Sequence, residues 1–157
     1  MEKTPLKNIL ADKGSDIHSI EKTVMVQEAV CQMASLKIAA ILVLKEDKPE
    51  GIFTERDVLR KIVCEGRDPK TTKLSEVMST NLTTLTPDDF VSDASSIMTD
   101  SRIRHIPIVD DAGKCCGLVS IGDVSRFYML EQKKQISHLK NYISGDHPTN
   151  PNNNLEQ

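Results

Sequence analysis

The segment Val26 to Ile38 can be laid over Val91 to Ile103 at a constant offset of 65 positions, and self-similarity at that spacing means two copies of one structural unit. Ala29 falls on Ala94, Met33 on Met98 and Ile38 on Ile103, and the apolar run Ile41 to Leu44 falls on Ile106 to Val109. One inserted residue then moves the offset to 66, so that Gly51-Ile52-Phe53-Thr54-Glu55-Arg56-Asp57-Val58 matches Gly117-Leu118-Val119-Ser120-Ile121-Gly122-Asp123-Val124. A unit of roughly 60 residues buries too little apolar surface to stand alone. The copies are therefore expected to pack face to face about a pseudo-twofold axis.

Within each copy the periodicities read as strand, helix, strand, strand, helix, an α+β arrangement. Val26, Ala29, Val30, Met33 and Leu36 recur at helical spacing, and Val91, Ala94 and Met98 repeat the phase. The runs Ile41 to Leu44 with Gly51 to Phe53, and Ile106 to Val109 with Cys115 to Val119, predict one hairpin per copy across the polar turns Lys45 to Glu50 and Asp110 to Lys114. Val58, Leu59, Ile62 and Val63, and in the other copy Ile121, Val124, Phe127 and Tyr128, predict a second helix. This places the first unit at 10–66, a linker at 67–73 rich in helix stoppers, and the second unit at 74–130. A C-terminal helix is expected at 131–145, with Ile136, Leu139 and Ile143 on one face, and a disordered tail at 146–157.

Composition removes several classes of function. With 20 basic against 23 acidic residues, a net charge of −3 and no basic stripe, nothing draws the chain to nucleic acid or anionic lipid. Two Tyr, three Phe and no Trp do not make a stacking platform for single strands. No apolar run reaches the roughly 18 to 20 residues of a membrane span, and Met1 to Leu10 lacks the layout of a signal peptide, so a cytoplasmic protein is expected. The four cysteines show no Cys-x-x-Cys or His-x-x-x-His spacing, which argues for reduced thiols rather than a metal site or disulfides. Cys115 and Cys116, adjacent in a strand, point to opposite faces and read as packing.

The corner between the last strand and the last helix of each copy carries the chemistry. Both copies place a hydroxyl residue at the turn and an aspartate three positions on, Thr54 with Asp57 and Ser120 with Asp123. One reading is a helix cap, the hydroxyl at N-cap and the acid at N3. The other is a ligand site, because free amides at a helix start attract phosphate and a fixed carboxylate binds two ribose hydroxyls. Spacing leaves both open; aspartate where a capping box prefers Glu or Gln tilts the reading toward ribose.

At these positions the chain resembles the tandem CBS-domain pair, or Bateman module. Residues 51–57 and 117–123 look like the family's signature turn, and Arg104-His105-Ile106-Pro107-Ile108-Val109 looks like its central strand. The resemblance runs from about Ile17 to Tyr128, and Ile136 to Gly145 is similar to small stand-alone bacterial CBS-pair proteins. It implies two βαββα units, a homodimer, and adenosine-containing ligands in clefts between the units. AMP, ADP, ATP, NAD or NADH and S-adenosylmethionine are the candidates, with AMP or an NAD-type dinucleotide preferred for a stand-alone pair.

Carried over by residue, the resemblance makes Asp57 and Asp123 ribose ligands, Thr54 and Ser120 phosphate or ribose contacts, and Ile52 and Leu118 the lining of an adenine slot. It has Thr54 and Asp57 face Thr84, Ala94, Ile103, Arg104 and His105 in one cleft. Ser120 and Asp123 face Ser19, Ala29 and Ile38 in the other. Arg56, Arg104 and His105 bring phosphate donors to the first cleft, whereas Gly122, Ala39 and Ala40 leave the second poor in charge, so the clefts should differ in affinity. Read as ordinary residues instead, Arg104 pairs with Asp100 or Asp110, and His105 is a core histidine.

The function expected is a non-catalytic regulatory sensor whose ligand shifts a conformational balance and whose output passes to an unknown protein target. The alternative is a dimerisation scaffold without ligand. Catalysis is not expected: Gly117-Leu118-Val119-Ser120-Ile121-Gly122 misses the Gly-x-Ser-x-Gly elbow by one residue, and no triad accompanies it.

Overall fold

The computed structural model describes residues 3–14 and 16–143, so the expected tail at 146–157 and the last two positions of the expected 131–145 helix lie outside the described residues. The chain divides into a body, Met1–Val124, and a smaller unit, Ser125–Gln157.

In the first repeat, β1 (Ser19–Ile20) runs parallel to β2 (Ala40–Lys45), α2 (Val26–Leu36) forms the crossover, and β3 (Lys48–Thr54) pairs antiparallel with β2. The hairpin turn is tighter than the polar run Lys45 to Glu50 suggests. Lys45 pairs with Lys48, and Glu46 and Asp47 carry the turn at φ 52° and 64°, the left-handed pair whose twist matches that of the strands. β2 is buried on both faces, which is why it reads as a continuous apolar run rather than an alternating one. Ile41 and Val43 pack with Val26, Ala29, Met33 and Phe53. Ala40 and Leu42 pack the other way with Ile52, against Cys115 and Leu118 of the second repeat.

The repeat closes with α3 (Glu55–Asp57), which continues directly into a π-helical segment, Val58–Val63. The wider winding buries Ile62 but leaves Leu59 and Val63 exposed at 59% and 65%, so two of the four expected core positions face solvent.

The second repeat comprises α4 (Val91–Asp100), β4 (His105–Val109), β5 (Cys115–Ser120) and the start of α5 (Ile121–Ile143). Its expected opening strand is cut to one residue. Leu85 pairs parallel with Ile108, its N–H donating to the Pro107 carbonyl at 3.2 Å and its carbonyl accepting from Val109 at 2.9 Å. The chain turns immediately afterwards because Asp89 accepts from both the N–H and the hydroxyl of Thr86, at 2.6 and 2.9 Å.

A helix that the periodicity did not signal, α1 (Leu6–Lys13), precedes the first repeat and packs on the second. Leu6 and Ile9 are buried, the Leu6 N–H donates to the Asp89 carbonyl at 2.8 Å, and the Val91 N–H donates to the Thr4 carbonyl at 2.9 Å.

No break marks the expected division at residue 130, since α5 is one helix. Within the smaller unit the Phe127 and Tyr128 rings meet edge to face at 5.5 Å, and Met129, Ile136, Leu139 and Ile143 are exposed. Among the described residues no helix is long and apolar enough to cross a membrane.

Candidate functional site

β3 ends at Thr54 and a helix begins on the next residue, which makes Thr54 the N-cap and Asp57 the N3 residue. Asp57 Oδ2 accepts from the Thr54 N–H at 2.9 Å and its hydroxyl at 3.0 Å, while the Asp57 N–H donates back to the hydroxyl at 3.3 Å. The second corner repeats this, with Asp123 Oδ2 accepting from the Ser120 N–H and hydroxyl at 2.8 and 2.7 Å and the Asp123 N–H donating at 3.2 Å. The aspartate at N3, which tilts the reading toward ribose, completes the cap in both corners. With Thr54 extended at φ −127°, ψ 163°, the shorter carboxylate still reaches the N-cap amide, and both boxes are complete.

The corners nonetheless open into clefts between the repeats. The first, of about 530 Å³, is lined by Ile52, Thr54, Arg56 and Asp57 from one repeat and Ile103, Arg104 and His105 from the other, as the sequence expects. Thr84 and Ala94 do not line it. Thr83, one residue earlier, does, and Ala94 is fully buried on the inner face of α4. Sequence reasoning missed Arg60, Lys61, Ser79, Asn81 and Arg102, which share the cleft. Lys61 follows Asp57 by one helical turn and holds Asp57 Oδ1 at 2.9 Å, with Ser79 Oγ at 3.4 Å from the same oxygen. The helical spacing of Lys61 was legible; Ser79 comes from the other repeat and left no local signal.

Five cationic side chains thus meet one carboxylate, Asp57, among the described residues lining this cleft. Arg56 Nη1 donates to the Arg102 carbonyl at 2.7 Å. Arg104 is exposed, and the pairing with Asp100 or Asp110 considered from sequence is not formed. Such a concentration of guanidinium groups beside a helix start suits an anionic ligand.

The second cleft, of about 400 Å³, is lined by Ile38, Ala39, Ala40, Leu118 and Ser120 together with Lys13, Asp16, His18 and His105. Ser19, Ala29 and Asp123 fall outside its lining, Ser19 paired in β1 beside Leu42, Ala29 buried in the α2 core and Asp123 reached only through Lys13. The expectation of a charge-poor cleft is corrected as well, because α1 carries Lys13 into it. Lys13 Nζ donates to the Leu118 carbonyl and to Asp123 Oδ2, each at 2.8 Å. Burial pulls the Asp123 carboxyl upward, but the Lys13 ammonium and the Ser120 donors overcome that and hold it below its usual range. His105 lines both clefts. Burial, assisted by Arg104 and Lys13 and opposed by Asp123, lowers it to about 4, so it is neutral at pH 7.

Burial raises the thiols of Cys115 and Cys116, and all four cysteines are free. Among the described residues no group of three His, Cys, Asp or Glu side chains could hold a metal ion.

This geometry recurs in known proteins. The CBS-domain family profile matches residues 10–64 and again 74–130. The CBS domain-containing protein CBSX3, mitochondrial, of Arabidopsis thaliana is 37% identical over 155 residues, covering 92% of this chain and 74% of that one. The solved structure of a putative signal-transduction protein with CBS domains from Burkholderia ambifaria superposes with a TM-score of 0.77 at 36% identity, over 82% of this chain and 96% of that one. The CBS domain pair of protein MJ0100, solved in complex with 5-methylthioadenosine and S-adenosyl-L-methionine, shares the fold at a TM-score of 0.70 and 24% identity, over 80% of this chain and 99% of that one. Two matched repeats, each ending in the capped strand-to-helix corner, make this chain a member of the CBS-domain family, carrying its domains as a tandem pair.

Proposed function

We propose that the chain is a non-catalytic regulatory module that binds an adenosine-containing phosphate ligand in the first cleft, AMP or an NAD-type dinucleotide being the expected forms. One observation carries the reading: Arg56, Arg60, Lys61, Arg102 and Arg104 converge on a cleft whose lining offers Asp57 as its carboxylate. Guanidinium groups supply forked donors for phosphate, and Ile52 supplies an apolar wall for a base. The adenosine ligands of MJ0100 support the nucleoside half of the proposal, and the cationic lining favours a phosphate over the sulfonium of S-adenosylmethionine. The free thiols fit a reducing compartment, the cytoplasm.

In this reading Asp57 Oδ1 exchanges its contact with Ser79 for ribose hydroxyls, and binding shifts the balance between two arrangements of a homodimer that a protein target reads. A scaffold without ligand is the second reading, favoured by the exposed Leu59 and Val63 beside an apolar groove of Val30, Val58 and Ile62.

The test is a thermal-shift panel on nucleotide-stripped protein with AMP, ADP, ATP, NAD, NADH and S-adenosylmethionine. A ligand at 100 times its Kd stabilises by about 2.7 kcal/mol, or roughly 5 to 10 °C at this size. A selective shift abolished by Asp57→Asn supports the sensor; a flat panel on folded protein leaves the scaffold.

A further inference from the structure

The two clefts are neighbours. Among the described residues Ala39 and His105 line both of them. At the repeat offset of 65, Ala39 and Ala40 stand where the other copy has Arg104 and His105, so the first repeat brings only methyl groups to this boundary. The apolar walls are joined as well: Ile52 of the first cleft and Leu118 of the second pack in one cluster with Ala40 and Leu42.

The cations lie on one side of that boundary. In the first cleft the guanidinium groups of Arg60, Arg102 and Arg104 form no ion pair among the described residues. Each guanidinium presents a fork to two phosphate oxygens, so together they accommodate more than one phosphate. The second cleft has no arginine among its described lining residues. Its ammonium, Lys13, is engaged by the Leu118 carbonyl and by Asp123, and Asp16 adds a negative charge. Leu118, Ile38 and Ala39 give it an apolar wall, and Asp16 and His18 give it polar groups. Such a cleft suits a nucleoside that brings no terminal phosphate of its own.

We infer that the ligand is a dinucleotide spanning both clefts, with its adenosine in the first, its bridging phosphates on the arginines beside the Ala39 and His105 boundary, and its other nucleoside in the second. The inference rests on the ligand reading above and selects a dinucleotide over AMP within it.

Isothermal titration of NAD, diadenosine tetraphosphate, AMP and ATP into wild type, His18→Trp and Asp16→Trp tests it, with a thermal melt confirming that each variant is folded. His18 and Asp16 are exposed and line the second cleft but not the first. The expected result is about one dinucleotide per chain, with NAD or diadenosine tetraphosphate binding wild type at least about tenfold more tightly than AMP or ATP, because joining the two halves makes the second contact intramolecular. A tryptophan in the second cleft removes that advantage and leaves the affinity for AMP unchanged. AMP or ATP binding as tightly as both dinucleotides, two dinucleotides per chain, or an undiminished advantage in both folded variants overturns the bridging ligand while leaving the first-cleft reading intact. No binding of any of the four overturns the ligand reading, and the bridge falls with it.

Discussion

Arg56 donates to the main-chain carbonyl of Arg102 at 2.7 Å, which fastens the helix start of one repeat to the turn that opens β4 of the other across the first cleft. Arg102 holds a left-handed backbone, φ 53°, a conformation unfavourable for a side chain of its kind unless its surroundings fix it. The two walls of the candidate site are thus joined by a group that itself suits phosphate.

Arg56 and Arg104 are predicted to separate binding from stability. Arg56→Ala loses a charge-assisted but solvent-exposed bond, lowering stability by about 0.5 to 1 kcal/mol, and weakens a phosphate ligand about tenfold or more. Arg104→Ala loses no ion pair among the described residues, so its melting curve stays within about 0.5 kcal/mol of wild type while affinity falls similarly. Calorimetric titration beside thermal melts measures both. Equal losses of stability would mean that Arg104 is structural.

Asp57→Asn is expected to cost about 0.5 to 2 kcal/mol through the cap alone. It also leaves the Lys61 ammonium without its carboxylate partner. Thr54→Val removes the hydroxyl from the same cap but keeps the carboxylate, so it should share the stability loss and retain most of the affinity. Urea unfolding and ligand titration of both variants decide the point; a stability loss with affinity unchanged in both would make the corner a cap and nothing more.

The pH dependence follows from His105 and Asp123. The unfolded chain protonates His105 near 6.5 and the folded chain only near 4. Stability therefore falls as pH drops through that window, by about 2 to 3 kcal/mol at this partly buried site. His105→Gln should flatten the curve between pH 6.5 and 4. The lowered carboxyl of Asp123 acts further down: its contribution is present above its usual 3.8 and is lost as pH falls through the folded value beneath that. Tm measured from pH 7 to 3 on wild type and His105→Gln separates the two groups.

Gly117→Ala brings a Cβ to 2.6 Å from Leu10 Cδ2, so the Leu10 side chain must give way, with an expected loss of up to about 3 kcal/mol. Gly122→Ala meets only Ser120 Oγ at 3.5 Å at a helix start and should be neutral or stabilising by up to about 1 kcal/mol. Denaturant midpoints of the pair check the contrast.

The repeat was legible because its marks are local: the matched helices, the hairpins, and a hydroxyl three residues before an aspartate. So were Ile52, Thr54, Arg56, Ile103, Arg104 and His105, which fall within a few residues of that corner or of β4. Thr84 and Ser19 were each misplaced by one position, Thr83 and His18 lining the clefts instead, because nothing in the sequence fixes the register of a strand that pairs through one or two residues. α1 escaped because its buried face is only Leu6 and Ile9, a single helical turn. Lys13 escaped for a different reason: its partners lie 105 and 110 positions away, and its reach depends on how α1 docks.

The most direct measurement of the central claim is calorimetric titration of nucleotide-stripped protein with AMP, ATP and NAD, repeated on Asp57→Asn and Asp123→Asn. The account predicts saturable binding of an adenosine phosphate that weakens with added salt, as an arginine-lined cleft requires, and that Asp57→Asn abolishes while Asp123→Asn leaves it in place. Folded protein that binds none of the three, or binding that is lost with Asp123 and kept without Asp57, would contradict it.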